Sequence, residues 1–251
     1  IRQVGIIEAM NFRLDASYQL DANNSIGANF GFLRNPKQTW NGDMSSSILQ
    51  DEELSENSDS HADFFWQKNN LSSNIYYVGK IGKLSIDFNT DWLWSKEYQN
   101  DVTKEQYQEV GMNAQSQTAH SLTNKDYHLL ASKLVLSYPL LGGNLSLGGE
   151  YSNTHRTSKY QVVPTNLVSD DDSRITESMT SSFLTYSRDF GNLSLEAGMR
   201  YEYIDFNYYE YGKYVPGQSK SYGNWFPSLS LSMPVGKVQM QLIYAADINR
   251  P

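Results

Sequence analysis

The sequence predicts an all-β protein, an antiparallel up-and-down transmembrane β-barrel of about ten strands with short periplasmic turns and long extracellular loops. Three observations predict it. Apolar and polar residues alternate one by one over segments of nine to eleven residues, the period of a strand with a different environment on each face. The connections between segments alternate strictly between tight turns and stretches of roughly 20–30 residues, which compact soluble domains rarely tolerate. The apolar faces of the clearest segments carry no charge.

In chain order, residues 11–20 open the pattern, with Phe12, Leu14, Ala16, Tyr18 and Leu20 against Arg13, Asp15, Ser17 and Gln19. Weaker strands follow at 26–32 and 71–78. Residues 84–94 alternate Leu84, Ile86, Phe88, Trp92 and Trp94 with Ser85, Asp87, Asn89 and Asp91. Further strands are expected at 128–138, 145–151 and 182–190. Residues 193–203 set Leu193, Leu195, Ala197, Met199, Tyr201 and Tyr203 against Ser194, Glu196, Gly198, Arg200 and Glu202. Strands at 225–233 and 238–246 complete the ten. Five Gly-, Asn- or Pro-bearing turns at 21–24, 79–83, 139–144, 189–192 and 234–237 supply hairpin chemistry. The long connections are 34–63, 95–126, 153–178 and 204–223. They hold 18 Asp or Glu against 10 Lys or Arg, so the whole net charge of −8 sits in them. Such acidic, Ser- and Asn-rich segments suit an outer surface.

A soluble β-sandwich also has one apolar face, turned to its core. Three features favour lipid. Nine to eleven alternating residues is the length a tilted membrane strand needs. The apolar faces lack charge. Rings gather at strand ends (Trp92, Trp94, Tyr138, Tyr151, Tyr201, Tyr203, Trp225), as an interfacial girdle places them.

Composition narrows the function. With no Cys, thiolate metal sites and Cys nucleophiles are excluded. A net charge of −8 argues against nucleic acid as a partner. No nucleophile–base–orienter set and no phosphate-cradling loop appears, so no catalytic residue, cofactor or metal is assigned and an enzyme is not expected. Asp170–Asp172, His61 with Asp63, His155, His120 and His128 read as solvated polarity rather than ligands.

Two residue sets remain. Arg13, Asp15, Asp87, Asp91, Lys133, Glu150, Glu196, Arg200 and Glu202 lie on polar strand faces. In a barrel these line the lumen and contact each other, a plug or a passing solute. Among ring-bearing loop residues, Trp40, Tyr98, Tyr160 and Tyr209 are candidates for gripping a ligand.

Three stretches carry a family resemblance. Gly198–Met199–Arg200–Tyr201–Glu202 resembles the G-L-R-Y-E strand of TonB-dependent outer-membrane receptors. NWFPSLSL at 224–231 resembles their F-P-S-L-S strand, and YAADINRP at 244–251 their Y-x-x-x-I-x-R-P strand. They occur in the family's order and approximate spacing over the last 55 or so residues. The branch they resemble is the outer membrane protein β-barrel family. The resemblance implies a 22-stranded barrel, an N-terminal plug and nutrient uptake driven by the TonB complex. No plug, TonB box or terminal aromatic is present here, so residues 1–251 are expected to be one partial barrel domain of a longer protein. The implied partners are outer-membrane lipid, the plug and TonB complex through the full-length protein, and an unidentified small-molecule ligand. The implied location is the bacterial outer membrane. The alternative is a complete ten-stranded outer-membrane barrel acting as a surface protease or adhesin.

Overall fold

The computed structural model describes residues 2–51, 53–164, 168–236 and 238–247. They form a single antiparallel sheet whose long strands pair in chain order. The strands are β1 (Arg2–Asp21), β2 (Asn24–Gln50), β3 (Glu53–Ile81), β4 (Leu84–Glu109), β5 (Gln115–Leu140), β6 (Gly143–Val163), β7 (Asp171–Phe190), β8 (Leu193–Glu210), β9 (Lys213–Tyr214), β10 (Lys220–Val235) and β11 (Val238–Ala245). Ten are the expected long strands. The eleventh is the two-residue β9, which pairs only with β8. Among the described residues β1 and β11 are the free edges and do not pair with each other, so the sheet is not closed.

Turn chemistry fixes the lower ends. Gly82 (φ 62°) and Gly191 (φ 63°) stand first in two-residue turns, where a type II′ hairpin needs a positive φ. Leu141 (φ 51°) and Gly142 (φ 75°) supply the two positive angles of a type I′ turn. All five tight turns fall where the sequence places them. Lys237 of the last one, and residues 248–251 of the third motif, lie outside the described residues.

The long connections differ from expectation. Most of their described residues are not coil but continuations of the ladders, so β2 and β3 reach 27 and 29 residues, β4 and β5 26 each. At about 3.3 Å per residue β3 is about 95 Å long, and roughly a third of that suffices to cross a membrane. The rest stands outside as paired hairpins. Strand length then falls to 21 and 20 residues in β6 and β7, and to 18 and 16 in β8 and β10, so the outer rim slopes. Water bathes both faces of these extensions, which removes the alternation that marks a half-buried strand.

Register carries the apolar face across every strand. One transverse row runs Ala28, Ile75, Thr90, Ser132, Tyr151, Thr180 and Tyr203; the row below runs Ile26, Tyr77, Phe88, Leu134, Gly149, Ser182, Tyr201 and Trp225. Trp92, Trp94, Tyr151, Tyr201, Tyr203 and Trp225 sit eight to ten residues above the lower turns, while Tyr138 sits two above them. The rings therefore split into the two girdles of a membrane band. Much of this face is exposed, with Phe12 at 55% and Leu242 at 65%. Its burial must come from lipid.

The register also advances. Ser25, one residue above its turn, faces Val78, three above the next; that row ends at Arg200 and Phe226, the latter nine residues above the turn end of its strand at Val235. Each hairpin is thus displaced by two residues, or one per strand. At about 3.3 Å along a strand and 4.8 Å between strands, this tilts the strands by about 35°, the value barrels adopt.

Candidate functional site

All nine predicted lumen residues lie on the face opposite the apolar one. Four of them meet. Lys133 and Glu150 are direct cross-strand partners on β5 and β6, with Nζ 2.8 Å from Oε1. Arg200 on β8 reaches back across β7, donating Nη2 to the other oxygen of Glu150, while its Nε donates to Glu202 Oε1 at 2.6 Å. Ser181 of β7 stands between Glu150 and Glu202 and is small enough to let the guanidinium pass over it. Glu202 is 9% exposed, making it one of the few buried polar residues among those described.

Phe183 completes this cluster, and the sequence reading missed it. Its ring lies 5.5 Å from Lys133 Nζ and 5.7 Å from the Arg200 guanidinium carbon, within cation–π reach of both. It fits because its cross-strand partner is Gly148; a Cβ there would come 2.1 Å from the ring tip. The available signal was a ring on an otherwise Ser- and Thr-bearing face. Lys133, Phe183, Arg200, Phe226 and Ser228 line a hollow of about 240 Å³. The arrangement offers a cation pair, partly neutralised, above an aromatic floor.

The remaining five do not join it. Arg13 and Asp15 pair with each other near the β1 edge at 2.9 Å. Asp91 accepts from Asn74 Nδ2 at 2.7 Å. Asp87 and Glu196 stand apart on β4 and β8.

The four ring candidates lie in strands and do not converge. By register Trp40 and Tyr160 share the inner face, whereas Tyr98 and Tyr209 are on the outer one. Tyr98 packs edge-on to Phe65, and Arg174 stacks over Tyr209 at 4.1 Å. Trp40 has a partner the sequence reading overlooked: Trp66, with ring centroids 6.5 Å apart. The Trp66 indole N–H is buried without a hydrogen-bond partner among the described residues. Gln99, opposite Trp66, donates to Asp101 at 2.6 Å. Burial holds the Asp101 carboxyl above its ordinary range, against the opposing hydrogen bonds from Gln99 and Ser121. Two indoles, an amide and a half-buried carboxyl form a polar-aromatic surface high on the inner face of the outer hairpins.

On the other face of the same hairpins, His61 Nδ1 lies 2.6 Å from Asp43 Oδ1 and its Nε2 3.4 Å from Asp63. The bond to Asp43, with both carboxylates' charge, raises its pKa. A raised pKa means the contact favours folding fully below the unfolded value of 6.5 and fades as pH climbs through the folded value. An NMR titration of the His61 ring is expected to show a midpoint above 6.5 that falls back toward it in Asp43→Asn. An unchanged midpoint would break the assignment. No three His, Asp or Glu side chains group as a metal site among the described residues.

The sequence model of the outer membrane protein beta-barrel family matches residues 78–251. The chain belongs to this family. It is accordingly a membrane protein of the bacterial outer membrane. No curated protein matches the chain. Among solved structures, this family member resembles the translocator domain of the autotransporter NalP from Neisseria meningitidis, at 12% identity, 97% coverage of this chain, 75% of that one and a TM-score of 0.39. It also resembles the alcaligin outer-membrane receptor FauA from Bordetella pertussis (11% identity, 94% and 40% coverage, TM-score 0.41). A further likeness is to the siderophore receptor PiuA from Acinetobacter baumannii (8%, 92% and 46%, TM-score 0.43). The chain spans less than half the length of either receptor.

Proposed function

We propose that residues 1–251 are a partial barrel domain of a TonB-dependent outer-membrane receptor that admits a bulky, scarce nutrient and performs no catalysis. One observation carries the reading. Arg200 and Glu202 of the receptor-like G-M-R-Y-E stretch build, with Lys133 and Glu150, an ordered charge cluster on the inner face. A wall that only bounds water has no need of such order. A plug docked inside the barrel does, because charged hydrogen bonds hold it while leaving it displaceable. The Trp40–Trp66 surface higher on that face then meets the ligand first. In this reading the plug and the remaining strands are parts of the full-length protein, and the TonB complex is its partner.

Photo-crosslinking in cells tests this, with the full-length protein carrying a benzophenone side chain at Thr185 or Ser228, which border the cluster. The expected product is an internal link to a segment N-terminal to residue 1. Links only to second copies, or none together with a large steady conductance in planar bilayers, would overturn the plugged-receptor reading. Peptidase turnover lost on changing His61 or His155 would support a surface protease instead.

A further inference from the structure

We propose that Arg34, Asn69 and Lys96 form a binding site on the membrane-facing side of the wall for a phosphate group of an outer-leaflet glycolipid. The three residues are one transverse row: Arg34 of β2 faces Asn69 of β3, which faces Lys96 of β4. The row immediately below is Phe32, Leu71 and Trp94, the upper margin of the apolar band. The row therefore stands at the level where headgroups begin, with an acyl-chain surface under it.

Two features separate this row from ordinary surface charge. Arg34 and Lys96 are both exposed, and neither is ion-paired among the described residues. Of the other cations on the outer face above the band, Lys159 pairs with Asp172 at 2.9 Å and Arg174 stacks on Tyr209, while Lys37 and Lys104 stand nearer the rim, away from the apolar margin. Arg34 and Lys96 lie two strand spacings apart, about 9–10 Å, which lets both side chains reach one tetrahedral anion between them. Asn69 adds an amide donor at the midpoint. Arginine supplies a planar fork matched to phosphate oxygens and lysine a point charge.

The acids that border the row do not close it. On the β5 side Asp126 faces Lys96, but its Oδ1 lies 2.8 Å from His128 Nε2. On the β1 side Glu8 faces Lys37, one step nearer the rim. Cationic clusters beside a membrane band attract anionic headgroups, and each basic residue near the surface adds appreciably to the affinity. Phe32 and Trp94 give the same lipid an apolar and aromatic seat, which a free phosphate ion would not use.

Native mass spectrometry of the full-length protein, extracted from outer membranes and challenged with a diphosphorylated, acylated glucosamine disaccharide, tests the site. Removing both cations in Arg34→Gln/Lys96→Gln is expected to weaken retention of that lipid about thirtyfold. The dephosphorylated lipid should bind wild type and variant alike. Inorganic phosphate at millimolar concentration should leave the retained lipid in place. Lys104→Gln/Lys213→Gln removes the same charge elsewhere and is expected to retain lipid as wild type does. Equal loss in both double variants, undiminished retention in the first, or displacement by inorganic phosphate would overturn the proposal. A folded Arg34→Lys/Lys96→Arg exchange that keeps most of the lipid confirms that charge at this row is what matters.

Discussion

Leu134→Lys is expected to keep the chain from assembling in the membrane, while Ala131→Lys, three residues away, is tolerated. Leu134 is six residues above its turn, near the middle of the apolar band, with Phe88 and Gly149 on either side in its row. An ammonium there meets hydrocarbon, at a cost of about 2–4 kcal/mol. Ala131 points to the opposite face, where its cross-strand partner is Asp91, so a lysine gains a counter-ion. Heat-modifiable migration and outer-membrane abundance report the difference. Cysteine labelling in detergent checks the same point across the sheet, with Ile86, Leu195 and Leu242 expected to react more slowly than Asp87 and Glu196. Equal behaviour of the two lysine variants would reverse the assignment of faces.

Arg200→Met is expected to lower the stability of the assembled barrel by about 2–3 kcal/mol. The figure is below the 3–5 kcal/mol typical of a fully buried pair because the Arg200 side chain remains 27% exposed. The substitution takes from Glu150 and Glu202 the guanidinium they share, and the two carboxylates then repel across Ser181. Adding Glu202→Gln should recover part of the loss, and the double-mutant cycle measures the coupling directly. Urea titration of heat-modifiability is the readout. A loss under about 0.5 kcal/mol would mean that the cluster behaves as a solvated surface pair.

The membrane band was legible in the sequence because lipid and lumen write opposite chemistries onto alternate residues. Leu193 to Tyr203 shows this: every second side chain is apolar, and β8 follows it with the register intact. The outer hairpins were not legible for the same reason. Ser58, Asp59, Ser60 and His61 alternate nothing, yet β3 pairs them in perfect succession with Tyr107, Gln106, Glu105 and Lys104, since backbone hydrogen bonds require no side-chain pattern. The charge cluster was half visible. Its members could be placed on one face by parity, but which of nine charges would touch depends on the offset between strands. No local signal encodes that offset. Phe183 and Trp66 escaped notice because each partners a residue distant in sequence, Arg200 and Trp40 respectively.

The uniform two-residue displacement of successive hairpins has an evolutionary consequence. Every hairpin is carried onto the next by the same screw operation, so no pair of strands occupies a privileged place in the wall. Duplicating or deleting one hairpin in the gene would change the circumference by a fixed step and leave tilt, girdle height and face assignment unaltered. Pore size can then drift by whole hairpins, while side chains that recognise solutes change independently on the rim.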